Sequence, residues 1–143
     1  MYKLFILSIV VLIGFNAFSQ QNSNNLVFGD SAGLNFSTPI PTFFKTSILS
    51  HEACASISDS LGNLLFYTNG QKVWDRNNEM MPNGDSLNIG KSSFDDPSSI
   101  TQGVTILPKP GSNTMYYIFQ LQAENGPPDN YGLEYSIVEM TLN

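Results

Sequence analysis

Residues 53–75 read ACASISDSLGNLLFYTNGQKVWD, and this stretch decides the fold class. Ala53, Ala55 and Ile57 alternate with Cys54, Ser56 and Ser58, the period of two that places successive side chains on opposite faces of a strand. The next residues, Asp59-Ser60-Leu61-Gly62-Asn63, suit a tight hairpin built on a type I turn, with Gly62 in the left-handed position where a Cβ would be penalised. The return strand is Leu64 to Thr68. Asn69-Gly70 then carries the strongest two-residue hairpin signal in the chain, a type I′ turn with positive φ at both central positions, leading into a strand from Lys72 to Asp75. Three strands joined by two tight turns make an antiparallel meander.

Working outward, a loop from Met80 to Pro97 contains a turn at Pro82-Asn83-Gly84, and a second meander follows. Its strands are expected at Gly103 to Leu107, Met115 to Leu121 and Leu133 to Leu142, with Pro110-Gly111 turning between the first two and a polar loop from Gln122 to Asn130 before the last. No segment after residue 19 sustains apolar residues at helical spacing over three turns, so the fold class is all-β. Equivalent strands of the two meanders lie about 50 residues apart, the interval of β-propeller blades. A ring of blades takes at least four units of about 40 residues. Residues 20–143 are too few for closure, and the expectation is about two blades of an incomplete propeller. A β-sandwich is the competing architecture, since strand spacing fits it nearly as well.

The N-terminus has a different grammar. Lys3 precedes an apolar run from Leu4 to Phe15, and Asn16-Ala17-Phe18-Ser19 follows with small residues at the −3 and −1 positions. That order is a secretory signal peptide over residues 1–19, and the run is well short of the roughly 20 residues of a transmembrane helix. No cysteine sits at the junction to carry a lipid. The expected localisation is secreted or cell-surface, with no membrane insertion once the leader is cleaved.

Composition then excludes several function classes. The 143 residues hold 6 Lys or Arg against 12 Asp or Glu, a formal net charge of −6. Clustered cations, which nucleic acid or anionic lipid would need, are missing. Cys54 is the single cysteine and His51 the single histidine. An intramolecular disulfide is impossible, and Cys54 reads as a small apolar side chain. Three residues apart on a strand would set the thiol and the imidazole on opposite faces.

The remaining constellations each have a plain structural reading. Asp59 and Asp75 end strands, where an Asx side chain binds nearby backbone N–H groups; as a catalytic pair they would need a shared cleft. Asp95 and Asp96, with Ser98 and Ser99, offer oxygen ligands to calcium but lack the regular loop spacing. Phe66, Tyr67, Trp74, Tyr116, Tyr117 and Phe119 should fill the space between packed sheets. A sugar-stacking platform would need two exposed aromatics on one face. Catalytic, cofactor and metal residues are all expected to be none.

Several of these residues recur as an ordered set: Phe28-Gly29-Asp30, Ala32-Gly33-Leu34-Asn35-Phe36, Ala55-Ser56-Ile57-Ser58-Asp59, Gly62 through Gly70, Val73-Trp74-Asp75-Arg76-Asn77, Met81-Pro82-Asn83-Gly84, Pro108-Lys109-Pro110-Gly111, Tyr116-Tyr117-Ile118-Phe119 and Leu133 through Met140. The set resembles the N-terminal propeller-like region of large surface proteins of gliding bacteria that use type IX secretion. Those proteins end in a gliding-motility-associated C-terminal sorting domain, which these 143 residues do not contain. Glu52-Ala53 and Thr101-Gln102-Gly103 depart from the family pattern, which has Glu-Gly and Thr-Gln-Ser there. The resemblance implies a non-catalytic binding or adhesion module, the N-terminal fragment of a longer chain. Its expected partners are an extracellular polysaccharide, a surface protein or the remainder of its own chain. The alternative is part of a polysaccharide-acting propeller enzyme.

Overall fold

The computed structural model describes residues 21–85, 87, 100–121 and 132–142. The signal-peptide segment, the Asp95-Asp96-Ser98-Ser99 cluster and the Gln122–Asn130 loop lie outside them. Among the described residues, nine strands form three antiparallel three-stranded sheets, each a simple meander: β1 (Asn25–Phe28), β2 (Asp30–Asn35) and β3 (Thr42–Leu49); β4 (Ala55–Ser58), β5 (Leu64–Thr68) and β6 (Val73–Asp75); β7 (Val104–Pro108), β8 (Met115–Leu121) and β9 (Leu133–Glu139). The chain is all-β, as its periodicity requires, and among the described residues no sheet closes into a barrel.

The middle and third sheets follow the expected strands closely. β9 stops at Glu139 and gives way to a 3-10 turn, Met140–Leu142. The hairpin between β4 and β5 forms as its sequence dictates: Gly62 has φ of 86°, its N–H donates to the Asp59 carbonyl (3.0 Å), and Asp59 N–H donates to the Asn63 carbonyl (2.8 Å). Pro110-Gly111 makes a type II turn, with Gly111 at φ 77° and Ser112 N–H on the Lys109 carbonyl (3.1 Å).

Two expectations need correction. Asn69-Gly70 is not a type I′ turn: Thr68 pairs with Val73, which leaves a four-residue loop, and only Gly70 has positive φ, at 85°. Asn69 instead turns the chain with its side chain, its Oδ1 accepting from the N–H groups of Gln71 (3.0 Å) and Lys72 (2.9 Å). This Asx geometry does without a second left-handed residue. Secondly, a whole sheet, β1–β3, precedes the two expected meanders. Its central strand carries Ser31, Ala32 and Gly33, small residues with little strand propensity, and a register shift falls between Asp30 and Ala32.

The three sheets stack face to face in chain order. Val27 and Ile48 of the first sheet pack with Tyr67 and Trp74 of the second, joined by Phe44, Cys54 and Leu64. On the opposite face of the middle sheet, Ile57, Leu65, Phe66 and Val73 pack against Val104, Ile106, Tyr116 and Ile118 of the third. Adjacent residues of β5 therefore serve different interfaces, and both Phe66 and Tyr67 are fully buried. Between sheets, the main approaches are β1 to β4 and β4 to β7. The first strands lie together, and the stack fans from that side.

Gly33 marks one tight point of the first sheet. It pairs with Phe44, and a Cβ placed on it would lie 2.5 Å from two atoms of that ring, a distance at which the half-buried ring must shift. Gly33→Ala should cost about 1–3 kcal/mol, the usual range for overpacking, read as a lower midpoint in urea. Combining it with Phe44→Leu should give less than the sum of the two single losses.

Candidate functional site

The aromatic residues divide into two groups. Phe66, Tyr67, Trp74 and Tyr116 are buried between sheets. Tyr67 and Trp74, directly opposite on β5 and β6, stack with ring centroids 5.5 Å apart and planes 16° from parallel, while Phe66 meets Tyr116 edge-on at 5.5 Å. These rings are core. Tyr117 and Phe119 lie on the outer face of the third sheet and cluster with Tyr135, at centroid separations of 5.6, 5.7 and 6.1 Å. Two aromatics on one outward face is the arrangement a stacking platform needs. Its setting among exposed Leu107 and Ile137 is that of an apolar packing surface.

Asp59 and Asp75 are turn formers of one design. Asp59 Oδ1 accepts from Leu61 and Asn63 N–H (both 2.9 Å), and its Oδ2 accepts from the Asn63 amide (2.9 Å). Asp75 Oδ1 accepts from Asn77 and Glu79 N–H (2.8 and 2.9 Å), and its Oδ2 from the Asn77 amide (3.0 Å). Slight desolvation acts to raise the pKa of Asp59, but the Asn63 and Leu61 hydrogen bonds and the charge of Arg76 outweigh it and hold the carboxyl below its ordinary value. A carboxyl held ionised in this way is the opposite of the raised-pKa general acid of a glycosidase.

Cys54 is half-buried beside the cluster between the first two sheets, and burial pushes its thiol up, against a smaller opposing hydrogen bond at Gly29. β4 begins at Ala55, so His51 and Cys54 precede the strand and the face argument does not apply to them. Desolvation of the thiol disfavours its thiolate, the nucleophilic form. Among the described residues, no group of three or more His, Cys, Asp or Glu is placed to hold a metal ion, and no helix is long and apolar enough to cross a membrane.

Sequence reasoning missed a polar cleft of about 370 Å³ where the first two sheets meet, lined by Asn25, Asn35, Asn63, Asn77, Arg76 and Leu61 among others. Asn25 forms part of it, only 5% exposed. Its amide donates to Ser58 Oγ (2.9 Å) and the Gly62 carbonyl (2.8 Å), and its Oδ1 accepts from the Asn35 amide (2.8 Å). The two aspartate turns deliver the rest: Asp59 orients the Asn63 amide and Asp75 orients that of Asn77. Arg76, next to Asp75 in the second turn, adds a fixed positive charge. The signal available in the sequence was the repetition of Asp followed two to four residues later by Asn, at Asp59/Asn63 and Asp75/Asn77. A smaller, mainly apolar cleft of about 230 Å³ lies between Val73, Met81 and Leu87 on one side and Ile137 to Glu139 on the other.

No family model, curated protein or solved structure matches this chain.

The titration of the core follows from Tyr67. Its hydroxyl accepts from Ser47 N–H (2.9 Å) and donates to Asn78 Oδ1 (2.7 Å). Burial raises its pKa; the bonds with Ser47 oppose that rise, and the charge of Asp75 adds to it. A phenol whose folded pKa is raised contributes stability that is complete below the ordinary value of about 10 and is lost as pH rises through the folded value. Unfolding free energy should therefore begin to fall near the ordinary thiol value of about 9 through Cys54, and more steeply above about pH 10 through Tyr67 and Tyr116, the pKa values of all three being raised by burial. Tyr67→Phe should lower stability at pH 7 by about 1–2 kcal/mol through the lost hydrogen bonds while making the alkaline fall shallower, measured by urea titration at pH 8 and pH 11.

Proposed function

We propose that the chain is a non-catalytic, exported binding or adhesion module, the N-terminal part of a larger surface protein of the type IX secretion class. Its three stacked meanders then serve as blades of a propeller-like scaffold, and the polar cleft between the first two is the ligand-facing site. The observation that carries this reading is the makeup of that cleft. Amides, two of them oriented by carboxylates already committed to turns, and the Arg76 guanidinium offer many hydrogen-bond donors and acceptors and no group poised to exchange a proton. Such a lining suits the hydroxyls of a sugar, and the exposed Leu61 beside it suits a sugar's C–H face. The net charge of −6 disfavours a polyanion, so the ligand class is a neutral extracellular polysaccharide. The signal-peptide pattern of residues 1–19 and the resemblance to gliding-bacterial surface proteins support export.

Expressed with its own leader in a type IX-competent gliding bacterium, the protein should reach the extracytoplasmic fraction with Gln20 as its first residue, read by N-terminal sequencing. Binding to neutral polysaccharides, followed by affinity electrophoresis, should weaken at least tenfold in the exposed variant Arg76→Ala with no change in melting temperature. Retention of the leader would refute the export reading. Equal retardation of the parent and the Arg76→Ala protein, or none of either, would refute the cleft as the ligand site.

A further inference from the structure

The third strands of the three sheets, β3, β6 and β9, differ in how their outward backbone groups are satisfied. In the first sheet, side chains of the second do it: Ser47 N–H donates to the Tyr67 hydroxyl (2.9 Å), and the Leu49 carbonyl accepts from the Asn69 amide (3.0 Å). In the second sheet the chain itself returns. After β6 and the loop of residues 76–78, Glu79 to Met81 run back along the strand: Asp75 N–H donates to the Glu79 carbonyl (2.8 Å), Met81 N–H donates to the Val73 carbonyl (3.0 Å), and Trp74 bridges Met80. This return sets the Met81 side chain, opposite Val73, into the core shared by the second and third sheets.

Among the described residues, β9 has no such cover, and the parity of the ladder shows which of its groups are open. Met140 N–H donates to the Thr114 carbonyl (2.9 Å), and hydrogen-bonded pairs recur at every second residue of an antiparallel ladder. In this register Glu134, Ser136 and Val138 turn their backbone groups to β8. Leu133, Tyr135, Ile137 and Glu139 therefore turn theirs outward, a row that can accept a further strand. The apolar cleft of about 230 Å³ lies beside that edge, with Ile137 to Glu139 on one side and Val73, Met81 and Leu87 on the other. It fills the mouth of the wedge that opens between the second and third sheets away from β4 and β7. Val138 packs against the core from this side, so a strand laid along β9 would set the side chain opposite Val138 into the cleft.

We infer that the outer edge of β9 is a strand-acceptor site, and that its occupant is an extended segment of the longer polypeptide, antiparallel to β9, with an apolar side chain in the cleft. The choice of occupant rests on the reading of the chain as part of a larger protein. A polypeptide backbone offers alternating donors and acceptors at the spacing of an open ladder, and a side-chain pocket beside the edge selects which residue faces it. The second sheet shows the path. There β6 is followed by a three-residue loop and a return, and β9 is likewise followed by the three-residue turn Met140–Leu142, which delivers a continuing chain to this edge as Glu79 is delivered to that of β6. A single strand gains far less than the about 800 Å² per partner of a stable interface, which disfavours a separate protein. A segment tethered through a short turn acts at an effective concentration of about millimolar, enough to hold so small a contact.

The test is amide exchange read residue by residue by NMR on the full chain, exported with its own leader. Alone, Tyr135 and Ile137 should exchange at least about tenfold faster than Ser136 and Val138, whose amides bond β8. The probe is a synthetic peptide of alternating threonine and valine, seven residues long to match β9, acetylated, amidated and in millimolar excess. It should slow Tyr135 and Ile137 by at least about threefold. With its valines facing the cleft, its threonine N–H groups face β9, so N-methylation of the threonines should abolish the effect and N-methylation of the valines should leave it. Ile137→Pro removes one outward donor without touching the bonds to β8, and it should abolish the slowing at Tyr135 with unchanged circular dichroism. In the longer protein, Tyr135 and Ile137 should already be slow without peptide. The inference is overturned if the probe slows neither amide, if threonine N-methylation makes no difference, or if both amides stay fast in the longer protein. Slowing in the chain alone that grows with its own concentration would assign the edge to a second copy and overturn it as well. A gene that stops after residue 143 refutes the larger-protein reading and this occupant with it, whereas failure of the probe refutes the acceptor edge alone, so the two fail separately.

Discussion

Neighbouring residues of a regular strand point to opposite faces; a bulge at Leu65, where Ile57 pairs with Phe66 and Ser58 with Leu64, turns Leu65 to the face of Phe66, and both faces of β5 carry large apolar side chains. Leu65 and Phe66 need one partner sheet; Leu64, Tyr67 and the adjoining Trp74 need another. A strand of this kind is stable only as the middle of a sandwich, because leaving either face in water would forgo about 1.5–3 kcal/mol for each large side chain. The stacking of three sheets follows from that requirement, and so does the exposure of apolar residues at both ends. Each outer sheet has a period of two as well, and among the described residues only its inner face finds a partner.

Apolar contact alone does not set how the sheets are oriented, and polar side chains complete the arrangement. Asn25 ties the first sheet to Ser58 and Gly62 of the second, and Ser56 Oγ bonds the backbone of β1 at Asn25 and Val27. Tyr67 reaches through the core to Ser47 and Asn78. Asn69, while turning its own loop, donates its amide to the Leu49 carbonyl at the end of β3 (3.0 Å). Gln120 of the third sheet donates to the Leu87 carbonyl (2.9 Å). Buried groups of this kind are costly unless paired, so each pairing restricts the sheets to the arrangement that satisfies it. The same amides, where they surface between the first two sheets, make the cleft.

The legible part of the fold was the part whose side chains alternate strongly. Ala53 through Asp75 and Met115 through Leu121 combine period-two apolar patterning with Gly or Pro punctuation, and their strands fell within two residues of expectation. The first sheet was illegible because β2 draws its stability from its neighbours: Gly33 is acceptable there only because the Phe44 ring covers it. The turn at Asn69 was misread because the dipeptide rule assumes backbone φ does the turning, whereas here a side-chain oxygen does it. Of the candidate site, the turn roles of Asp59 and Asp75 were readable from position alone. The cleft was not, since Asn25 and Asn35 are about 30 to 50 residues from Asn63 and Asn77 and only the stacking of sheets brings them together. The aromatic residues separated into core and surface by their parity along β8, a distinction that period two supplies but that needs the inner face to be known.

The central claim is that the doubly covered middle sheet holds the other two, and native-state amide hydrogen exchange tests it most directly. The slowest amides should lie in β5, at Phe66 and Tyr67, exchanging only with global unfolding, while β2 and β9 open at lower free energy because, among the described residues, one face of each of their sheets lacks a partner. Slower exchange in the first or third sheet than in β5 would contradict it.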